Sequence, residues 1–290
     1  MGDFVIVTDS ACDLPAKLST ELELLVAPLS VLIDGITYTN YLDGREINPA
    51  DFYSKLREEK MATTSAVNLD TFTTLMNNLL ETGKDILYIG FSSALSGTFN
   101  SGAMAANDLA EKYPERKIYA VDSLSASLGE GMLVYLAAGE KKKGKTIEEV
   151  RDYVEKTKLH LCHWFTVDDL HFLKRGGRVS AATAILGSAL NIKPILHVDN
   201  EGKLINVDKT RGRKSSINKM VEKMEATVIN SADQTIFISH GDCEEDAKYL
   251  ADLIKQNIGV KDVVINHVGP VIGAHSGPGT LALFFVGKER

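Results

Sequence analysis

Short apolar runs alternate with helical patterns through the first half of the chain. Phe4–Val7, Ile86–Ile89 and Ile118–Val121 are runs of mainly apolar, β-forming residues. After each run, apolar residues recur at the three- and four-residue spacing of an amphipathic helix. This alternation is typical of a parallel sheet covered by helices on both faces. We therefore predict an α/β fold whose first domain, residues 1–157, is a three-layer α/β/α unit with a mainly parallel sheet.

The pattern changes near residue 158. His160–Val167 is apolar and strand-like, and the runs Lys193–Val198 and Lys203–Val207 flank a tight turn at Asn200–Gly202. Two strands joined by such a turn form an antiparallel hairpin, whereas later strands alternate with helices. We predict that residues 158–290 form a second, two-layer α/β domain with a mixed sheet.

Two hydroxyl-rich segments stand out against this framework. Ser92–Thr98 follows the apolar run Ile86–Ile89 and contains neither lysine nor acid. In a parallel sheet, the loops at the carboxyl ends of the strands bind ligands, and the amino terminus of the next helix favours an anion. Thr63–Ser65 is a second cluster, predicted to be a loop between two helical segments. Together these segments predict an uncharged site for an anionic group.

Polar residues also follow the first strand and the strand at Ile118–Val121. Asp9 and Ser10 come directly after the apolar run Phe4–Val7, and Asp122 follows the later one. One interpretation places Asp9 and Ser10 in the same site as the hydroxyl segments. The other is that they cap and orient the next helix. The residues alone favour neither.

A histidine and two groups of cations are further candidates. His275 lies in the glycine-rich loop Gly273–Leu283, which holds it in a tight backbone frame. Lys174, Arg175 and Arg178 surround a glycine pair, and Arg211 lies in the short basic stretch 209–214. Cations in such positions bind phosphate or an acidic partner, or simply end a helix.

Composition narrows the function classes. The chain has 290 residues, 44% of them hydrophobic, and a net charge of −7, which disfavours a nucleic-acid partner. The basic run Lys141–Lys143 fits a solvated helix end. No run approaches the 18 apolar residues of a membrane span. We expect no stable membrane insertion.

The cysteines and the first residues bear on the compartment. Cys12, Cys162 and Cys243 are far apart and show no CxxC spacing, which disfavours a zinc site or a disulfide framework and fits a reducing cytosol. Met1 is followed at once by an apolar strand with no basic segment, so we expect no secretory signal. The sequence therefore predicts a cytoplasmic protein without a metal site.

Several catalytic motifs are absent. The chain has no GxSxG elbow, no P-loop, no GxGxxG and no HExxH motif, which argues against nucleotide binding and metal-dependent hydrolysis. A catalytic triad is defined by geometry, so a serine hydrolase using Ser96 or Ser93 stays open as the alternative function.

A set of spaced motifs resembles the DegV family over essentially the whole chain. The matching segments are VTDSACDLP at 7–15, APLSV at 27–31, TTS at 63–65, FSSALSGTFNSG at 91–102, VDSLSASLGEG at 121–131, VDDLHFLKRGGRVS at 167–180, KPIL at 193–196 and HSGPGT at 275–280. One departure is that Ala66 and Val67 follow Ser65, where the family often has Gln-Pro.

The resemblance implies a fold and a ligand. The expected fold has two domains with one long-chain fatty acid, about C14–C18, buried between them. Thr64 and Ser96 would hold the carboxylate, with Thr63, Ser65, Ser93 and His275 as neighbours. The resemblance implies no catalytic residue and no cofactor besides the bound fatty acid.

The family resemblance also implies a partner. A separate fatty acid kinase would phosphorylate the bound carboxylate to an acyl phosphate, since this chain has no nucleotide motif of its own. Arg175, Lys174, Arg178 and Arg211 would contact the kinase or the incoming phosphate.

From the apolar pattern we expect the acyl tail to be lined by residues of the second domain, namely Ile185, Leu186, Leu190, Ile192 and Leu283.

Overall fold

The computed structural model describes residues 4–178 and 191–290. Within these residues the strands are β1 (Phe4–Asp9), β2 (Leu25–Ala27), β3 (Ser30–Ile33), β4 (Ile36–Thr39), β5 (Ala62–Ser65), β6 (Asp85–Gly90), β7 (Ile118–Asp122), β8 (Leu161–Thr166), β9 (Ile192–Val198), β10 (Leu204–Arg211), β11 (Thr235–His240), β12 (Asp262–His267) and β13 (Leu281–Val286). The helices are α1 (Ala16–Glu21), α2 (Pro49–Arg57), α3 (Leu69–Glu81), α4 (Thr98–Lys112), α5 (Leu128–Lys142), α6 (Ile147–Thr157), α7 (Leu170–Arg175), α8 (Arg213–Thr227), α9 (Glu244–Asn257) and α10 (Pro270–Ser276).

The first domain is built on a parallel sheet of order β2-β1-β6-β7. Helices α3 and α4 pack on one face of this sheet, and α5 and α6 pack on the other. The central strands β1 and β6 are buried on both faces, which explains why they are continuous apolar runs without alternation. The predicted three-layer domain with a parallel sheet is confirmed.

The second domain is built on a six-stranded sheet of order β10-β9-β8-β13-β11-β12. Only the pairing of β11 with β12 is parallel, so the sheet is mixed as predicted. Helices α8 and α9 cover one face. Because α6 ends at Thr157 and β8 begins at Leu161, we keep residues 157 and 158 as the proposed domain boundary.

A small antiparallel sheet has the order β4-β3-β5. It begins where the apolar segment Leu24–Ile33 divides at Pro28 into β2, in the parallel sheet, and β3. Proline fixes its own φ and has no N–H to donate, so a ladder does not continue through it. The expected loop at Thr63–Ser65 is wrong, because these residues lie in strand β5 and pair with β3.

The segment that carries His275 is a helix where a loop was predicted. Pro270 occupies the first turn of α10, where its missing N–H costs no hydrogen bond. The helix stops at Gly277, whose φ of +79° is accessible mainly to glycine. The glycines therefore end a short helix and do not frame an open loop.

Helix α5 lies between the two large sheets. One side contacts β1 and β6 of the parallel sheet, and the other contacts β8, β11 and β13 of the mixed sheet. Gly129 and Gly131 permit this close packing, since a Cβ atom on them would lie 2.3 Å from His163 Nε2 and 2.5 Å from the Cys12 carbonyl oxygen, respectively. The two domains consequently share one continuous apolar core.

Arg290 forms a second connection between the domains. Its guanidinium donates hydrogen bonds to the loop between β7 and α5, to the turn between β9 and β10, and to the segment that joins the domains. The acceptors are the carbonyl oxygens of Leu124, Asp199, Lys158 and Leu161 and the Ser125 hydroxyl. Burial lowers the pKa of Arg290 to about 10, so the group stays charged at neutral pH.

Candidate functional site

A cavity of about 310 Å³ lies between the two domains, within the range of roughly 300–1,000 Å³ that small-molecule sites occupy. Its wall is mostly apolar. Leu29, Phe91, Leu95, Phe165, Val198 and Phe284 are representative. The polar lining includes Thr64, Ser96, Arg178 and His275. A ligand that fits this lining is mainly apolar and carries a polar group.

Strand β5 directs only one of its three hydroxyls into the cavity. Side chains alternate across a strand, so Thr64 points inward, whereas Thr63 and Ser65 are exposed on the outer face. The structure therefore does not bring Thr63 and Ser65 into the cavity, although sequence proximity had grouped them with Thr64. Ser93 is also exposed and outside the cavity wall.

Ser96 lies at the amino terminus of α4. Its Oγ accepts a hydrogen bond from the Thr98 backbone N–H at 3.2 Å and lies 2.9 Å from the Thr98 hydroxyl. Gly97, the residue that precedes the helix, also lines the cavity. The positive end of a 15-residue helix dipole is consequently directed at the cavity, where it favours an anion.

His275 contacts Thr64 at the cavity wall. The Nε2 atom of His275 and the Thr64 Oγ1 atom are 2.8 Å apart, although 211 positions separate the two residues. Burial, reinforced by Arg178, lowers the pKa of His275 to about 4, so its imidazole is neutral at pH 7. Its Nδ1 has no hydrogen-bond partner among the described residues and lies against Gly176, where a Cβ atom would be 2.3 Å away.

The predicted cations divide into two groups. Arg178 lies in the cavity wall, held by the carbonyl oxygens of Leu95 and Gly176. Lys174 and Arg175 are exposed on α7, and the Arg175 guanidinium stacks on the Phe172 ring at 4.7 Å. Arg211 ends β10, opposite Ile192, and does not line the cavity. The structure therefore brings only Arg178 to the polar end.

Neither interpretation of Asp9 and Ser10 holds in full, because they do not line the cavity and Asp9 caps only the short turn Ser10–Cys12, not helix α1. Asp9 accepts hydrogen bonds from the backbone N–H groups of Ala11 and Phe91, and the Ser10 hydroxyl accepts from Leu29 N–H. Asp122 accepts from the N–H groups of Ser93 and Leu124. These side chains shape the backbone around the cavity and do not line it.

Five polar cavity residues were missed in the sequence: Ser127, His163, Ser239, Ser276 and Thr280. Ser127 belongs to a serine cluster that follows β7, and its φ of +53° marks an unusual backbone position that the sequence does not reveal. His163 lies on β8 and Ser239 on β11, so the register of the mixed sheet decides whether they reach the cavity. Ser276 ends α10 and Thr280 precedes β13, so the packing of α10 brings these two residues to the wall.

The predicted tail contacts also change. Leu283 was expected in the cavity, but it faces α8 and α9, and its neighbours Ala282 and Phe284 face the cavity. The alternation of side chains along β13 explains the difference. Ile192 begins β9 and does not line the cavity. Ile185, Leu186 and Leu190 lie outside the described residues.

The geometry gives no support to the hydrolase alternative. In the described part of the chain, no histidine or carboxylate forms a hydrogen bond with Ser96. Ser93 donates to the Asp122 carboxylate through its backbone N–H and not through its hydroxyl. A serine nucleophile needs a base within hydrogen-bonding reach. No set of three His, Cys, Asp or Glu residues within 4–178 and 191–290 is placed to hold a metal ion. None of the described helices has the length and apolarity needed to cross a membrane.

Three buried acids lie behind the cavity wall. Asp9, Asp13 and Glu130 are nearly inaccessible, and burial raises the pKa of Asp9 to about 6 and of Asp13 to about 7, whereas the pKa of Glu130 lies well above its usual value. Thr8 donates to Glu130, and Ser127 donates to Asp13. These acids retain protons in the folded state at pH values where the unfolded chain has lost them.

This cluster makes stability fall as pH rises. The unfolded carboxyls ionise near pH 4, whereas folded Asp13 stays protonated up to about pH 7. The unfolding free energy therefore decreases with pH between these values. We expect Asp13→Asn to make this decrease less steep between pH 6 and 7. The difference in slope should be at most the contribution of one bound proton, about 1.4 kcal/mol per pH unit. Urea unfolding at pH 5 to 8 measures the slope.

The control for this prediction is a surface acid. Asp43 has a lowered pKa because Arg45 hydrogen-bonds to its carboxylate. Because this pKa is lowered from its usual value, Asp43→Asn should leave the slope between pH 5 and 8 unchanged. Equal slopes for the wild type and Asp13→Asn between pH 6 and 7 would show that Asp13 is already ionised in the folded protein.

Comparison with known proteins identifies a family with matching sequences. The model of the family described as "Uncharacterised protein, DegV family" matches residues 3–288. A DegV domain-containing protein of Clostridium perfringens is 48% identical over 290 residues, which are 100% of this chain and 99% of the relative. A DegV domain-containing protein of Streptococcus pyogenes is 38% identical over 99% of both chains.

Two solved structures share the fold. A DegV family protein from Thermus thermophilus, described as binding fatty acid, is 31% identical, with a TM-score of 0.88 over 97% of this chain and 98% of its own. DegV from Bacillus subtilis, described as a fatty acid binding protein, is 29% identical, with a TM-score of 0.85 over 99% of this chain and 100% of its own. The family model and the relatives each span almost the full length, and this two-domain chain accordingly belongs to the DegV family.

Proposed function

We propose that this protein binds one long-chain fatty acid in the cavity between its domains, with the carboxylate at Thr64, Ser96 and His275. The observation that carries the proposal is the Thr64–His275 pair at a polar end of an otherwise apolar cavity. The fatty acid binding described for the Thermus thermophilus and Bacillus subtilis relatives supports it. The expected ligand has about 14 to 18 carbons.

The hydrogen atoms of the pair suit a carboxylate. An ionised carboxylate only accepts hydrogen bonds, so the Thr64 hydroxyl has to donate to it. His275 then carries its hydrogen on Nε2 and donates to Thr64 Oγ1. Its Nδ1 is left with a lone pair, which matches the absence of an acceptor for Nδ1 among the described residues. In this arrangement the neutral imidazole orients the threonine donor.

Ser96 and Arg178 complete the polar end. The amino terminus of α4 and the Ser96 hydroxyl offer hydrogen-bond donors. The Arg178 guanidinium, held by two backbone carbonyl oxygens, adds a positive charge in the cavity wall. A carboxylate moved out of water without such partners would cost several kcal/mol, so these groups offset the burial of the head group.

The apolar wall supplies most of the affinity. A buried methylene contributes about 0.8 kcal/mol, so a tail with about fourteen of them contributes on the order of 10 kcal/mol before the entropy of ordering is subtracted. Phe165 and Phe284 of the mixed sheet face Leu95 and Phe91 of the first domain across this space. Both domains are therefore needed to enclose the tail.

Denaturing mass spectrometry of the purified protein tests the proposal. We expect about one equivalent of a fatty acid in the C14–C18 range to be released, because a ligand with this much buried surface dissociates slowly. Delipidated protein should then take up added palmitate in the same ratio. If the purified protein carries no fatty acid and the delipidated protein takes up none, the proposed function is wrong.

We further propose that the bound carboxylate is presented to a separate fatty acid kinase. Phosphoryl transfer requires a nucleotide and metal ions, and the sequence has no motif for either. Arg175 and Lys174 are exposed on α7, beside Arg178 in the cavity wall. Phe172, on which Arg175 stacks, packs against Gly277 at the end of α10. This surface is adjacent to the proposed carboxylate site.

Arg175→Ala tests the partner surface. With a fatty acid kinase and ATP, we expect unchanged fatty acid binding but acyl phosphate formation slowed by about tenfold, the effect of removing a charged contact at an interface. Lys255→Ala is the control, since Lys255 is exposed on α9, which covers the opposite face of the mixed sheet. A normal rate of acyl phosphate formation with Arg175→Ala would show that Arg175 does not contact the kinase.

A further inference from the structure

A second cavity, of about 240 Å³, lies next to the first. It forms where the turn after β1, the loop between β4 and α2, and the segment from the end of β12 to the start of α10 meet. Asp13 in its wall accepts a hydrogen bond from Ser127, which lines the first cavity. The polar side chains of the second cavity are those of Asp13, Asn40, Tyr41, Asp43, Asn266 and His267. The proposed fatty acid site uses none of these six.

The side-chain oxygen of Asn40 is an acceptor without a partner. Asn40 is 3% exposed, and its Nδ2 donates to the Ser10 carbonyl oxygen at 3.2 Å and to the Ser10 hydroxyl at 3.1 Å. Because a carbonyl oxygen only accepts, this contact fixes which end of the amide carries the nitrogen. The Oδ1 atom is therefore directed away from Ser10. No described residue donates to it, yet it is not sealed from solvent. Since Asn40 lines the second cavity, this oxygen is open to a ligand there.

Asn266 repeats this arrangement at the end of β12. Its Nδ2 donates to the Asp13 carbonyl oxygen at 2.8 Å, so the orientation of this amide is fixed in the same way. Its Oδ1 accepts no hydrogen bond from the part of the chain that the structure describes. Both asparagines therefore spend their donors on the protein and leave their acceptors for a ligand.

The charge of the wall is negative. The Asp13 carboxyl accepts hydrogen bonds from the Ser127 hydroxyl and the Gly269 N–H, and the Asp43 carboxylate is a second acid in the wall. Burial lowers the pKa of His267, so its ring is neutral above pH 7 and adds no positive charge. Among the described residues that line this cavity, none is lysine or arginine. An anionic ligand would therefore find no countercharge here.

One cation of the protein already binds at the edge of this cavity. The Arg45 guanidinium donates to the Asp43 carboxylate at 2.9 Å and lies 4.4 Å from the centre of the Tyr41 ring. Such contacts with a carboxylate and an aromatic face are the ones that stabilise guanidinium and ammonium groups. The deeper acceptors on Asp13 and Asn40 have no cation of their own among the described residues.

We propose that the second cavity binds a small organic cation with a primary ammonium or guanidinium group, which donates hydrogen bonds to Asn40 Oδ1 and to the Asp13 carboxylate. An ammonium group has three donors and no acceptor, which matches this acceptor-rich wall. The volume lies just below the usual range of about 300–1,000 Å³ for drug-sized ligands, so the expected ligand is a small metabolite. This inference is independent of the proposed fatty acid binding.

Isothermal titration calorimetry at pH 8, where Asp13 with its pKa of about 7 is mostly ionised, tests the inference. The probes are putrescine, its guanidinium analogue agmatine, the uncharged butanediol of equal length and the dianion succinate. We expect putrescine or agmatine to bind at least about tenfold more tightly than butanediol, and succinate to show no binding. If neither amine binds more tightly than butanediol, or if Mg²⁺ or Ca²⁺ binds and the amines do not, the inference is wrong.

Three matched variants locate the bound amine. Asp13→Asn keeps the size of the side chain and should weaken amine binding by at least about tenfold. Asp43→Asn changes an acid whose side chain is 41% exposed, so a loss of about two- to fivefold is expected. Asp252→Asn makes the same change on the exposed face of α9 and should leave the affinity within about twofold.

The urea midpoint of each variant without ligand reports whether it is folded. Asp43→Asn keeps the test valid if Asp13→Asn, a change at a buried position, does not fold. If the folded variants among Asp13→Asn and Asp43→Asn bind putrescine and agmatine as tightly as Asp252→Asn does, the amines bind elsewhere and the inference is wrong.

Discussion

Thr64→Val is expected to weaken fatty acid binding by about 10- to 100-fold, the effect of losing one hydrogen bond to a charged group in a buried site. Valine keeps the size and the β-branched shape of threonine, so strand β5 and its pairing with β3 should persist. The loss therefore isolates the hydroxyl that lies 2.8 Å from His275 Nε2. Titration of delipidated protein with palmitate measures it.

Thr63→Val is the matched control. Thr63 is the preceding residue of the same strand, with the same side chain, but it is exposed on the outer face. We expect palmitate affinity within about twofold of the wild type and an unchanged midpoint of unfolding. If Thr64→Val binds palmitate as tightly as Thr63→Val, the carboxylate is held elsewhere.

Arg290→Ala is expected to lower the free energy of unfolding by about 3 kcal/mol. The guanidinium serves acceptors from both domains, and alanine would leave several of them without a donor. The magnitude is set by unpaired, partly buried carbonyl groups, each of which costs about 1 kcal/mol or more. Urea unfolding followed by the fluorescence of Trp164, the single tryptophan, reports the change.

Two further variants bracket this effect. Lys288→Ala removes an exposed cation two residues away, and we expect a change within about 0.5 kcal/mol. Arg290→Lys keeps the charge but has fewer donors and no planar fork, so it should fall between the wild type and alanine. A midpoint for Arg290→Ala equal to that of Lys288→Ala would show that the connection between the domains does not depend on this guanidinium.

The fold was predictable because its periodicity is local. Apolar runs such as Ile86–Ile89 are buried on both faces and are followed at once by a helix, so the parallel sheet is evident without tertiary information. The turn at Asn200–Gly202 likewise predicted the antiparallel pairing of β9 and β10 in the second sheet. These segments follow rules that act within about ten residues.

The site was only partly predictable because its geometry is not local. Sequence proximity grouped Thr63, Thr64 and Ser65, and only the register of β5 against β3 shows that Thr64 alone points inward. The contact between Thr64 and His275 spans 211 positions. No pattern within one segment contains such a contact, so the family resemblance had to supply it.

Two polar residues of the mixed sheet illustrate the same limit. His163 and Ser239 lie in apolar runs, where a polar residue is compatible with either face of the strand. Which face lines the cavity depends on the pairing of both strands with β13. That pairing brings together segments about 40 to 120 positions apart in the chain.

The position of α5 between the two sheets limits how ligands exchange. Leu128, Met132, Leu133 and Ala137 of this helix are buried in the core that both domains share. A hinge motion that parted the domains would expose these side chains to water, at a cost comparable to a large part of the stability of the protein. We therefore expect the proposed fatty acid to enter and leave without separation of the two domains, which remain joined through α5.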